Sequence, residues 1–178
     1  MKKLTTLAAL LATSFAAQAA DHSVMLGYAA TDIKHAEDVL GGFTLKYRYD
    51  GANRLGFLVS ATITADEDVA YGVQFQPDIN VVETAKTTRS YASLHVGPTY
   101  RFNDIVSAYA TLGYSEYIIE NEARGRTTSK IEDENFAGGA GLEFNVTRGF
   151  VINTGFEYSE HLADARALTY SVALGYRF

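Results

Sequence analysis

Cysteine is absent and proline nearly so. With 0 Cys in 178 residues, the chain forms no disulfide scaffold, no thiolate metal site and no cysteine nucleophile. A lipoprotein anchor is excluded with them. Tryptophan is also absent, yet 12 Tyr and 10 Phe accompany 15 Gly and only 2 Pro. Abundant aromatics and glycine favour β structure over a helix bundle. Positive charge is in short supply, with 15 Lys and Arg against 21 Asp and Glu, net −6. That balance excludes a basic nucleic-acid surface as the default, and no nucleic-acid partner is expected. No uninterrupted apolar run reaches helix-spanning length, and mean hydropathy is −0.05, so the chain is not a helical membrane protein. Hydrophobic residues at 47% and charged ones at 20% also exclude a disordered or fibrous chain.

The first residues read as a targeting segment. Lys2 and Lys3 form a positive start, Leu4 to Ala16 is apolar, and Ala17-Gln18-Ala19 has the small-x-small form of a signal-peptidase site. Residues 1–19 are therefore expected to be a signal peptide and 20–178 the mature chain. Losing Lys2 and Lys3 moves the net charge from −6 to −8.

Period-two alternation dominates what remains. At the C-terminus Leu168, Tyr170, Val172, Leu174, Tyr176 and Phe178 share one face, and Ala167, Thr169, Ser171, Ala173, Gly175 and Arg177 the other. A large apolar face thus opposes a small or polar one. The division recurs seven more times, beginning near Val24, Phe43, Leu55, Ala92, Ala108, Phe136 and Ile152, which predicts eight strands. In a soluble barrel the apolar face points inward; in a membrane barrel it faces lipid and the polar face fills the lumen. Three features favour the membrane form. The polar face is rich in Gly, Ser, Thr and Ala, which suits a narrow interior. Aromatics cluster at both ends of the apolar stripes, with Tyr49, Phe102, Phe144, Tyr176 and Phe178 at one end and Tyr28, Tyr114, Tyr158 and Tyr170 at the other. Connections alternate: Asp50–Arg54, Asn103–Asp104 and Asn145–Gly149 are short, whereas Asp32–Leu40, Asp66–Arg89, Glu120–Glu134 and Glu160–Arg166 are longer. The expected fold is an all-β, eight-stranded antiparallel transmembrane barrel with a packed, non-porous interior and four extracellular loops. Pro98 interrupts the fourth strand, and a bulge is expected there.

Four blocks carry a family resemblance: GGFTLKYRYD (41–50), GPTYRFND (97–104), GAGLEFN (139–145) and the terminal GYRF (175–178). In this order they resemble the Ail/Lom/OmpX family of small enterobacterial outer-membrane proteins, over essentially the whole mature chain. The resemblance implies the Gram-negative outer membrane, with both termini periplasmic. It implies roles in adhesion to or invasion of host cells, in resistance to complement, or in envelope stress, carried mainly by the loops. A structural barrel with no dedicated ligand, and a lipid A-modifying enzyme, are the alternatives.

The lumen face is expected to hold Lys46, Arg48, Arg101 and Arg177 against Glu143 and Glu157, a charge network filling the barrel, with Tyr109, Asn153 and the Ser and Thr hydroxyls as further partners. No catalytic, cofactor or metal residues are assigned: His22, His35, His95 and His161 lack ligand spacing. Ser93 and His95 share a lumen face, a pair that elsewhere makes a nucleophile and its base, but no acidic partner for them is evident in the sequence.

The four longer loops together carry the whole net charge of the mature chain. Long-range attraction to heparan or other polyanions is therefore disfavoured, although Arg124, Arg126 and Lys130 form a local basic spot. In the second loop Val69, Tyr71, Val73 and Phe75 alternate before Pro77-Asp78, and Ile79 and Val81 follow, which predicts a projecting hairpin. Tyr71, Val73, Phe75, Arg124 and Arg126 are the candidate contacts for host matrix or complement-regulatory proteins. Outer-membrane lipid and lipopolysaccharide are the other expected partners of a monomeric barrel.

Overall fold

The computed structural model describes residues 21–34, 39–51, 54–75, 79–123, 126–147, 149–160 and 166–178. The expected signal peptide, the Pro77-Asp78 turn, Arg124, His35 and His161 lie outside the described residues, as do the side chains of Val73, Phe75 and Arg126. Eight strands follow in chain order: β1 (Asp21–Ile33), β2 (Leu40–Asp50), β3 (Leu55–Phe75), β4 (Ile79–Arg101), β5 (Val106–Ala123), β6 (Arg126–Asn145), β7 (Phe150–Glu160) and β8 (Arg166–Arg177). Each pairs antiparallel with its neighbour, and β1 pairs with β8 to close the barrel.

Register fixes the shape. From Val24, successive partners lead through Tyr47, Val59, Val96, Leu112, Gly138, Tyr158 and Leu168 back to β1 at Asp32, eight residues beyond the start. Eight strands with that stagger tilt by roughly 35–45° and enclose a space that side chains fill.

The alternation seen in the sequence sorts inside from outside as expected of a membrane barrel. Leu26, Phe43, Ile63, Leu94, Leu112, Phe156 and Leu174 are exposed on the outer surface, while Lys46, Arg48, Thr62, His95, Glu143 and Asn153 are buried within. Tyr28, Tyr114, Phe136 and Tyr170 stand near the long-hairpin end of the outer surface, and Phe102, Tyr176 and Phe178 at the short-turn end. These are the two aromatic girdles.

Two expectations are corrected. Pro98 makes no bulge: β3 and β4 keep one register from Leu55↔Tyr100 to Ala70↔Ala85, with Phe57 opposite Pro98. The ladder between β4 and β5 lapses only between Val96↔Leu112 and Thr99↔Tyr109 and resumes in the same register. Missing its N–H, proline costs ladder bonds without shifting the strand. The bulges lie further out. Ala70 faces Ala85 and Tyr71 faces Glu83, and Asn121 faces Ser129 and Glu122 faces Thr127. One extra residue, Thr84 or Thr128, is thereby left in β4 and in β6.

The second correction concerns the loops. Asp66–Arg89 and Glu120–Glu134 are for the most part strand. β3 to β6 run 21, 23, 18 and 20 residues, against 13, 11, 11 and 12 for β1, β2, β7 and β8. A bilayer needs about 9–11 residues of tilted strand, so β3–β6 continue as a four-stranded sheet beyond the membrane. The polar composition that reads as loop is that of a sheet with water on both faces.

Candidate functional site

The barrel interior is built in tiers because inward side chains come from every second residue of every strand. Nearest the short turns, Arg48 donates from Nε and Nη2 to Asp50 Oδ1 at 2.8 and 2.5 Å, and from Nη1 to Glu143 Oε1 at 2.7 Å. Arg101 donates to Asp50 Oδ2 at 2.6 Å. Arg177 is half-buried at the same end, and its charge acts on Glu143. The sequence reading placed Asp50 in a turn. It is in fact the shared anion of this tier, and its signal was that it continues the Lys46–Arg48 face by one more step of two.

Above lies Lys46, 2% exposed. Its Nζ donates to Tyr109 Oη at 3.0 Å, Asn153 Oδ1 at 2.8 Å and Ser171 Oγ at 2.9 Å. All three donors meet neutral acceptors, Tyr109, Asn153 and a serine hydroxyl, which are the residue types expected to partner the lumen charges, with Glu157 and Glu143 attracting it across a longer distance. Two register-paired glycines make this possible: a Cβ on Gly141 would lie 2.3 Å, and one on Gly155 2.2 Å, from the Tyr109 hydroxyl. The glycine pair is the recess that the phenol fills.

The next tier holds Glu157. Its carboxylate accepts from Ser93 Oγ at 2.6 Å, Thr62 Oγ1 at 3.0 Å and Ser60 Oγ at 3.5 Å. His95 Nε2 is 3.5 Å from the same carboxylate, and its Nδ1 is 3.4 Å from Thr111 Oγ1. Ser93 and His95 therefore do have an acidic neighbour, which corrects the sequence reading: Glu157 comes from β7, 64 residues on. The order differs from that of an activated nucleophile, because the serine donates to the carboxylate rather than to the imidazole, and all three side chains are buried. Further out Thr64, Thr31 and Thr169 form a hydroxyl chain at 2.8 Å each. Ile33, Leu40, Tyr91, Tyr117 and Ala167, with Ile119 against them, cap the lumen at its outer end.

Buried charge survives only when paired or hydrogen-bonded. Along its axis this lumen runs from a mixed tier of arginines and carboxylates, through Lys46 on neutral acceptors, to Glu157, then closes with hydroxyls and an apolar cap. Its arrangement suits rigid packing.

The projecting sheet begins where the cap ends. β2 last pairs with β3 at Gly41↔Ala65, and β7 last pairs with β6 at Ala137↔Ser159. Beyond those rungs the outer edge of β3 from Asp66, and that of β6 back to Arg126, meet no strand among the described residues. Arg89 bridges Asp66 and Asp68, and Lys86 pairs with Glu67 at 2.9 Å. Lys130 pairs with Glu132, and that hydrogen bond holds its ammonium above the ordinary lysine range. Of the five candidate contacts, Tyr71 is described with its side chain and is 69% exposed. The backbones of Val73 and Phe75 pair with Val81 and Ile79 as the expected hairpin, and Arg126 is paired through its backbone with Ala123.

A closed antiparallel barrel with a greasy exterior, two aromatic girdles, a filled polar lumen and long hairpins at one end defines a bacterial outer-membrane β-barrel. The family described as Outer membrane protein beta-barrel domain matches residues 5–178. Outer membrane protein X of Enterobacter cloacae is 33% identical over 186 residues, covering 100% of both chains. The attachment invasion locus protein of Yersinia pseudotuberculosis is 31% identical over 169 residues, covering 89% of this chain and 85% of its own. The crystal structure of Ail, the attachment invasion locus protein of Yersinia pestis, in complex with the heparin analogue sucrose octasulfate, superposes with a TM-score of 0.79. It is 29% identical and covers 90% of this chain and 100% of that one. The chain belongs to the Ail/OmpX family of outer-membrane β-barrel proteins and resides in the Gram-negative outer membrane.

Proposed function

We propose that this protein is a surface receptor-binding barrel, acting in adhesion, invasion or complement resistance, whose projecting β3–β6 sheet takes a protein partner, with host matrix and complement-regulatory proteins as the class. The observation that carries this reading is the sheet itself, four strands continued past the membrane, with edges on β3 and β6 that pair with no strand among the described residues. Open edges accept an added strand. Charged residues blunt such edges, and Asp66, Glu67 and Asp68 do so on the lower part of β3. Val69-Ala70-Tyr71 leaves the upper part uncharged, with Tyr71 as an aromatic anchor. Residues 1–19 serve as the signal peptide, and the barrel works as a monomer.

The Yersinia pestis neighbour binds a heparin analogue. The outer residues of this chain are acidic, so its affinity is directed to protein rather than to sulfated polysaccharide. The same acids along both edges favour a second reading, a barrel that stabilises the envelope and keeps its edges free of partners.

Removing Val69–Glu83 from the full-length protein discriminates between them. The cut lies above the membrane, so heat-modifiable folding persists. On the first reading, adhesion to host cells and survival in serum are lost. Parent-like adhesion and survival select the second.

A further inference from the structure

The outer surface of the barrel is not uniform. Ala61, Leu94, Tyr114 and Phe136 are successive register partners across β3–β6, and Ile63, Ala92, Glu116 and Glu134 form the row above them. Ala61 and Ala92 stop at Cβ, whereas Ile63, Leu94 and Tyr114 around them stand 66%, 60% and 49% exposed. The result is an open groove of about 360 Å³ with an apolar floor and with Glu116 and Glu134 at its outer lip. Its level is fixed by the edge-to-face pair of Tyr114 and Phe136, ring centroids 4.9 Å apart, which belongs to the outer girdle. The floor therefore lies against hydrocarbon and the lip at the headgroups of the outer leaflet.

The lip is electrostatically incomplete. Glu116 and Glu134 are direct cross-strand partners, and like charges so placed destabilise a sheet. Among the described residues neither takes part in an ion pair; on the same face Lys86 is engaged by Glu67 and Lys130 by Glu132, with Glu116 attracting Lys130 only across a longer distance. Two carboxylates set above an acyl-chain-sized groove complement an amphiphile with a cationic head. A primary ammonium has three donors, enough to bridge both carboxylates. The groove faces sideways into the bilayer, continuous with the lipid-exposed surface, so its occupant is a lipid.

We propose that this groove seats an outer-leaflet glycolipid bearing a primary ammonium on its headgroup, with one acyl chain over Ala61 and Ala92 and the ammonium between Glu116 and Glu134. The site is separate from the partner-binding edge of β3 and stands whether or not that edge binds protein.

The test uses the full-length barrel in phosphatidylcholine nanodiscs, offered hexa-acylated lipid A with or without a phosphoethanolamine substituent, with retained lipid read by native mass spectrometry. The amine-bearing form is retained about fivefold over the unsubstituted one, the scale of solvent-accessible ion pairing. In the Glu116→Gln/Glu134→Gln protein that ratio falls to near one, whereas Glu67→Gln, on the same face outside the groove, keeps it. Ala92→Phe, which fills the groove, lowers retention of both forms. Equal retention of the two lipids by the parent overturns the proposal. So does a preference that survives the double substitution, a preference for unsubstituted lipid A that appears only with magnesium, or a lipid-free dimer of the chain. Heat-modifiable migration of each variant confirms that the barrel compared is folded.

Discussion

His22 and Phe178 exchange both backbone hydrogen bonds, each 2.9 Å, and their rings stack with centroids 5.9 Å apart and planes 18° apart. One lies at the start of β1 and the other just past the end of β8, so this rung extends the seam between the first and last strands by one step beyond Ser23↔Arg177, at its short-turn end. His22 also lies 2.8 Å from the Tyr47 hydroxyl and edge-on to Tyr49, tying the seam into the aromatic girdle at the short-turn end.

Removing Phe178 therefore takes away both backbone bonds and a stacked ring at the place where closure is completed. The amount of heat-modifiable, folded barrel in outer-membrane fractions is expected to fall. Phe178→Leu, which keeps the backbone rung, recovers most of it. Unchanged levels on deletion would show that closure does not depend on this rung.

Glu143→Ala removes one of the two anions that hold Arg48. Breaking a buried pair costs on the order of 3–5 kcal/mol, and Asp50, already shared with Arg101, retains part of the interaction, so the loss falls at the lower end. Urea unfolding in lipid or detergent reads the change. The variant shows no discrete conductance in planar bilayers, because Lys46, Tyr109 and the outer apolar cap still fill the lumen.

Gly155→Val places a branched side chain where the Tyr109 hydroxyl lies. The phenol must leave its recess, and the hydrogen bonds from Lys46 and to Asn153 go with it. Overpacking of this kind costs about 1–3 kcal/mol, and the same unfolding measurement detects it. Pairing it with Tyr109→Phe, which already lacks the hydroxyl, gives less than the sum of the two single effects, as expected of residues in contact.

Soluble heparin does not compete with adhesion mediated by this protein, and adhesion depends only weakly on salt. The net charge of the outer region is negative, so no extended basic surface releases counterions or steers a polyanion. Competition by heparin at low concentration would mean that Lys130, Arg124 and Arg126 dominate the surface despite their acidic neighbours.

Strand number, inside-outside assignment and lumen charges were legible in the sequence because all three rest on a period of two, which needs only neighbours in the chain. Lys46, Arg48, Glu143 and Glu157 fall on the polar face by that period, and all four are buried. Tyr109, Asn153 and the lumen hydroxyls were legible as partners of the charges; which charge each one meets was not. Glu157 meets Ser93 from across the barrel, and Lys46 chooses Tyr109, Asn153 and Ser171 over either glutamate, because partners are set by shear and tier, which depend on all eight strands at once. Asp50 was lost at a strand end, where composition says turn. The stretches around Glu67 and Glu132 were lost because the lipid face supplies the apolar half of the alternation. Above the membrane that half turns polar while the strand continues. Glu116 opposite Glu134 likewise required the register between β5 and β6.

The most direct test of the central claim is binding of the purified full-length barrel in lipid to fibronectin, laminin and complement regulators, with and without Val69–Glu83. The parent is expected to bind at least one of these proteins at physiological salt, and the shortened barrel, folded by heat-modifiability, to bind none. Equal binding by the two, or no binding by the parent, would contradict the assignment of the projecting sheet as the partner site.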